Sequence, residues 1–92
     1  MTTYAEGFEL VNDSVFGKRV QMALWIGCVA ILANGGASAG AKTFAKNQLK
    51  GQADSDLGRR MGIRCAASGL TRDSTDAEIQ AVIDTMIAEL VA

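Results

Sequence analysis

The sequence predicts an all-α domain, a small bundle of four to five helices assembled as an oligomer, on three observations. Apolar residues recur at three- and four-residue spacing over several stretches. Asn, Asp, Ser, Thr and Gly stand at the edges of those stretches, where helices start and stop. No stretch alternates apolar and polar residues with β-branched enrichment, so a sheet is not expected. With 92 residues and 9.6 kDa the chain makes one domain, residues 1–92. Domains of this size bury only about 60–65% of their chain surface, which makes association a natural way to complete the core.

The first element spans Thr3 to Val11, where Tyr4, Phe8 and Val11 share a helical face that Gly7 weakens; residues 1–12 read as an N-terminal arm or a short helix. Asn12, Asp13 and Ser14 are all good caps for a second helix over 14–33. Phe16, Val20, Leu24, Gly27 and Ile31 lie on one stripe of it, and Met22, Ile26 and Val29 cover the flank. A helix apolar over most of its circumference belongs at the centre of a bundle or between subunits. Asn34-Gly35-Gly36 stops it, through residues that tolerate the left-handed conformation, and small residues through Gly40 make a flexible connection.

The third helix, 39–50, has a narrow apolar stripe of Ala41, Phe44, Ala45 and Leu49 and ends at Gly51. Ala53-Asp54-Ser55-Asp56 supplies caps and first-turn carboxylates for a fourth helix, 55–67, with Leu57, Met61 and Cys65 inward and Ile63 to one side. Ser68-Gly69 closes it. The last helix opens on a capping box, Thr75-Asp-Ala-Glu78, and Ile79, Val82, Ile83, Met86, Ile87 and Leu90 follow on one face.

Composition argues against catalysis. The chain has no His, which removes the commonest general base and metal ligand together, and no nucleophile has an adjacent base. No enzyme activity, cofactor or metal is expected. Cys28 and Cys65, 37 residues apart in apolar stretches without a C-x-x-C spacing, read as reduced, buried thiols. The uncharged run from Met22 to Ala33 holds twelve residues where a spanning helix needs about 20, so no membrane partner is expected. A signal peptide is disfavoured by the acids that precede Lys18 and Arg19.

The net charge of −1 conceals a polarity. Residues 42–71 carry Lys42, Lys46, Lys50, Arg59, Arg60 and Arg64 against Asp54 and Asp56, a net +4. Residues 72–92 carry Arg72 against Asp73, Asp76, Glu78, Asp84 and Glu89, a net −4. The six basic residues are candidates for contact with DNA phosphates or with a neighbouring copy, beside the plain alternative of a solvated face. Asp76, Asp84 and Glu89 are the matching acidic candidates, since a basic middle facing an acidic end is a heterologous contact of the kind that closes rings. Phe16, Val20, Leu24, Trp25, Ile79, Ile83 and Met86 are the candidates for packing or interface, and Trp25 with Met22, Met61 and Met86 sits at core spacing.

Two eye-catching groups fail on spacing. Gly35 to Gly40 followed by Ala41-Lys42-Thr43 is no Walker loop, because Ala41 separates the last Gly from Lys42. Asp73, Asp76 and Glu78 lack the register of a calcium loop and are explained by helix capping.

Tyr4-Ala-Glu6 through Phe16-Gly-Lys-Arg19-Val20, then Ala41-Lys-Thr-Phe44-Ala45-Lys46, and finally Thr75-Asp76-Ala77-Glu78-Ile79-Gln80-Ala81-Val82-Ile83-Asp84 resemble a family of small helical virion proteins of tailed bacteriophages. The closest match is the pattern D-A-x-I-Q-x-x-V-D, present as Asp76, Ala77, Ile79, Gln80, Val82 and Asp84 with Ile83 between the last two, at the pattern's V position. Gly35-Gly36 and Gly40 depart from it, standing where members tend to carry Ala-rich helix. The resemblance implies a structural protein of the particle, made in the host cytoplasm: a head-to-tail connector or adaptor in the neck, whose copies form a ring, typically a dodecamer, below the portal. Its partners would be its own copies, portal and tail proteins, and double-stranded DNA passing without sequence specificity. The alternatives are a capsid decoration or other virion protein, and a small helical regulator that binds nucleic acid through its basic middle.

Overall fold

The computed structural model describes residues 10–51 and 55–92, and these form a small all-α bundle without strands. Its helices are α1 (Ser14–Ala33), α2 (Ala39–Leu49), α3 (Ser55–Ala67) and α4 (Asp76–Val91). Of the expected first element, residues 3–9 with Tyr4 and Phe8 lie outside the described residues, as do Ala53 and Asp54 of the expected α3 cap. Residues 10–11 are helical, and Leu10 is buried in the core.

Local chemistry sets the helix starts. Asp13 caps α1, its Oδ1 accepting from the Phe16 amide at 2.8 Å, and Ser38 caps α2 by accepting from the Ala41 amide at 3.1 Å. The capping box on α4 is complete: the Glu78 amide donates to Thr75 Oγ1 at 3.2 Å and the Thr75 amide to Glu78 Oε1 at 2.9 Å. Those bonds favour the carboxylate and hold the Glu78 carboxyl below its ordinary range.

The helix ends are of two kinds. Gly69 (φ 85°) closes α3 in a Schellman turn, in which the Gly69 amide donates to the Ala66 carbonyl and the Leu70 amide to the Cys65 carbonyl, both at 3.0 Å. Leu70 folds back against the core there. The end of α1 differs from expectation, because Asn34 is extended (φ −90°, ψ 105°) rather than left-handed. Its side chain does the work instead, accepting from the Gly36 amide at 3.0 Å in an Asx turn.

α1 is the centre of the packing and touches all three other helices, α4 and α2 most extensively. α4 packs in turn on α3 and at its edge on α2, whereas α2 and α3 make no contact among the described residues. Phe16, Val20, Leu24 and Cys28 of α1 meet Ile79, Ile83, Met86 and Ile87 of α4 in one core that Ala45, Leu57, Met61 and Cys65 complete. α1 and α4 cross at Gly27, where a Cβ would lie 2.8 Å from Ile87 Cδ1. Both cysteines are free and buried, and burial pushes the Cys65 thiol up to about 11 and raises that of Cys28. At neutral pH they are small apolar groups.

On α2 the expected stripe is rotated by one position. Ala41 and Ala45 are buried and Phe44 half-buried, but Gln48 occupies the inner place and Leu49 is exposed. The Gln48 Oε1 has no hydrogen-bond partner among the described residues, and such an oxygen costs about 1–3 kcal/mol. Gln48→Met keeps the volume and removes the unpaired group, so it is expected to raise stability by about 1 kcal/mol in urea titration. A loss of stability would show that Gln48 has a hydrogen-bonding role.

Candidate interaction surface

The basic candidates do not form one patch. Lys42, Lys46 and Lys50 ride on or just beyond α2, and Arg59, Arg60 and Arg64 ride on α3, which does not touch α2 among the described residues. Arg64 is engaged across the bundle, its two guanidinium ends donating to Glu89 Oε2 at 3.0 Å and Oε1 at 2.8 Å. That fork holds the Glu89 carboxyl below its ordinary range and raises the Arg64 guanidinium, the hydrogen bond being the main cause of each. Arg59 pairs with Asp56 one turn earlier at 3.5 Å. Lys46, Lys50 and Arg60 are exposed and have no ion pair among the described residues.

Of the acidic candidates, Glu89 and Asp76 pair within the chain. Asp84 instead accepts from Gln80 Nε2 at 2.8 Å, and that amide also donates to the Ala23 carbonyl of α1 at 2.8 Å. Among the described residues no group of three or more His, Cys, Asp or Glu is placed to hold a metal ion.

Arg19, which the sequence did not single out as a site residue, organises the start of α1. Its Nε and Nη2 reach Asp76 Oδ1 at 3.0 and 2.9 Å, and its guanidinium also donates to the carbonyls of Arg72 and Ser74. Asp13 Oδ2 receives Arg72 Nε at 2.7 Å while Asp13 Oδ1 caps α1. The α3–α4 loop is thereby clamped to the start of α1. Removing this fork with Arg19→Met, which keeps the apolar stem, is expected to cost about 1–2 kcal/mol and to speed amide exchange at residues 72–75. Unchanged exchange there would mean that the loop is held by other contacts.

The apolar candidates divide. Phe16, Val20, Leu24, Ile79, Ile83 and Met86 are buried in the chain's own core, as are Met61 and Cys65. Trp25 and Met22, expected at core spacing, are exposed by 37% and 54%. The reason is geometric: α2, α3 and α4 all pack on the stripe through Phe16, Val20, Leu24 and Cys28, and no described element covers the opposite face. That outer face carries Val15, Met22, Trp25, Ile26, Val29 and Leu32. Beside it runs a shallow groove of about 270 Å³ between α1 and α4, lined by Lys18, Met22, Ile26, Asp76 and Gln80. A second hollow, of about 340 Å³ and lined by Gly27, Ala30, Asp84 and Ile87, continues along the same seam. The helix has 20 residues and an 18-residue stretch of mean hydropathy 1.5, enough by length and composition to cross a membrane, and a third of that stretch is buried in the bundle.

Compared with protein-family models, with curated proteins and with solved structures, the chain matches none.

Proposed function

We propose that this chain is a structural, non-enzymatic subunit of a tailed-bacteriophage particle, one copy of a homo-oligomeric ring around the DNA channel below the portal. The observation that carries the reading is the uncovered apolar face of α1. Among the described residues the core is complete on one side of α1 and nothing covers Val15, Met22, Trp25, Ile26, Val29 and Leu32 on the other, and large exposed apolar patches mark contact surfaces. The motifs around Arg19, Phe44 and Asp76 to Asp84 supply the kind of assembly, by their resemblance to small virion proteins. Exposed Lys46, Lys50 and Arg60 would then face a neighbouring copy or passing DNA. The test is a native mass of the purified protein together with its copy number in particles. A protein that stays monomeric at high concentration and is absent from particles overturns the reading, and a copy number matching the shell rather than the neck favours capsid decoration.

One observation favours a second reading, a nucleic-acid-binding regulator: the same Lys46, Lys50 and Arg60 lack ion pairs among the described residues. It requires salt-dependent binding of the isolated protein to duplex DNA, weakened when Lys46 and Arg60 become Glu.

A further inference from the structure

We propose that copies of this chain join head to tail, with Ile63 of one seated in the hollow between α1 and α4 of the next and Arg60 paired there with Asp84. The inference rests on the ring reading for its occupant, a second copy, and names the contact that builds the ring. Ile63 is 46% exposed, and no described element covers it. Leu57, Met61 and Cys65 of the same helix face the core, and by helical geometry Ile63 points about 160° away from their mean direction. Arg59 and Arg60, four and three residues earlier, stand on either side of it. The outer face of α3 is therefore one apolar knob between two cations. Leu49 of α2 is also exposed, but it points only about 70° from the buried Ala41, Ala45 and Gln48, at the edge of its helix.

The receiving hollow, of about 340 Å³, has Gly27 and Ala30 of α1 and Ile87 and Ala88 of α4 as apolar walls, and Asp84 is the one charged residue lining it. It opens on the Ala30 flank of α1, off the face of Met22, Trp25 and Val29. Asp84 accepts from Gln80 but has no ion pair among the described residues, and the same holds for Arg60. The competing charges are engaged: Arg59 by Asp56, Arg64 by Glu89 and Asp76 by Arg19. An apolar knob beside an unpaired cation thus matches an apolar hollow beside an unpaired carboxylate. Knob and hollow also lie on different sides of the molecule. α3 holds α4 at Glu89, whereas the hollow lies at Asp84, and five residues turn a helix by about 140°. Each copy can therefore give its knob to one neighbour and its hollow to another, a heterologous contact of the kind that closes rings.

Sedimentation velocity of the full chain tests the contact, with circular dichroism to confirm that each variant is folded. Ile63→Asp removes the knob and Ala30→Trp fills the hollow, both at exposed positions. Each alone is expected to weaken self-association about tenfold or more. An equimolar mixture of the two is expected to regain a contact of parental strength, because Ile63 of one variant still meets the open hollow of the other. Arg60→Glu and Asp84→Lys are each expected to raise the dissociation constant about tenfold, and the double variant to return it to within about threefold of the parent. A mixture that associates no better than its components overturns the contact, as does an assembly that the charge variants leave unchanged or the double variant does not restore. In those cases the ring reading survives on another surface. A single-chain mass at every concentration also overturns the contact, and the ring reading is then decided by the copy number in particles.

Discussion

Phe16→Ala is expected to remove about 3–5 kcal/mol of stability, the cost of vacating a buried aromatic site. Phe16 is 2% exposed and sits in the first turn of α1, where it anchors the central helix against the rest of the core. Its backbone amide is what Asp13 caps, and alanine keeps that bond, so the loss reports the side chain alone. A chain of this length has about 5–14 kcal/mol in total at the usual 0.05–0.15 kcal/mol per residue. The variant therefore retains a small margin or none. Val15→Ala, one residue away and on the outer face, is expected to change monomer stability by less than about 0.5 kcal/mol. Urea unfolding followed by far-ultraviolet circular dichroism measures both, at a concentration where only single chains are present. Equal effects at the two positions would mean that α1 faces the core differently.

Gly27→Leu is expected to cost about 3 kcal/mol, by prising α1 from α4. Adding even a Cβ at Gly27 brings a carbon within 2.8 Å of Ile87 Cδ1 and 3.1 Å of Asp84 Oδ1. Overpacking of this kind costs about 1–3 kcal/mol for added methylenes, and a leucine in a helix crossing lies at the upper end. The Gln80 hydrogen bond to the Ala23 carbonyl spans the same crossing and would be strained with it. Gly27→Ala is the informative smaller step. Alanine recovers about 1 kcal/mol of helix propensity against the clash, and Ile87→Val removes the methyl that causes it. In a double-mutant cycle the pair should be more stable than the sum of the singles predicts. Strict additivity would show that Ile87 yields without cost.

What was legible in the sequence was local. Thr75 and Glu78 announce the α4 cap because the bonding groups are three residues apart, and Gly69 announces the end of α3 because its left-handed turn is made within six residues. The starts of α1 and α3 and the inward face of α4 follow from short-range spacing in the same way. The stripe of Phe16, Val20, Leu24 and Gly27 was legible and is the buried side of α1, but that Met22 and Trp25 lie outside the core was not, since as apolar residues they differ little from Val20 and Leu24. The choice is made by where three other helices find room. Gln48 is inward and Leu49 outward for the same reason, against the preference of each side chain alone. The Arg19 fork was invisible because its partner Asp76 is 57 residues away. The basic residues were correctly seen as close in sequence, but a helix pair that shares no contact separates them in space.

That α2 and α3 never meet among the described residues has a kinetic side. Each is attached to the α1–α4 pair by one flank, so each can detach without waiting for the other, whereas α1 and α4 can part only when the whole core opens. Native-state amide exchange is therefore expected to be fastest in α2 and α3, each on its own schedule, and slowest in α1 and α4.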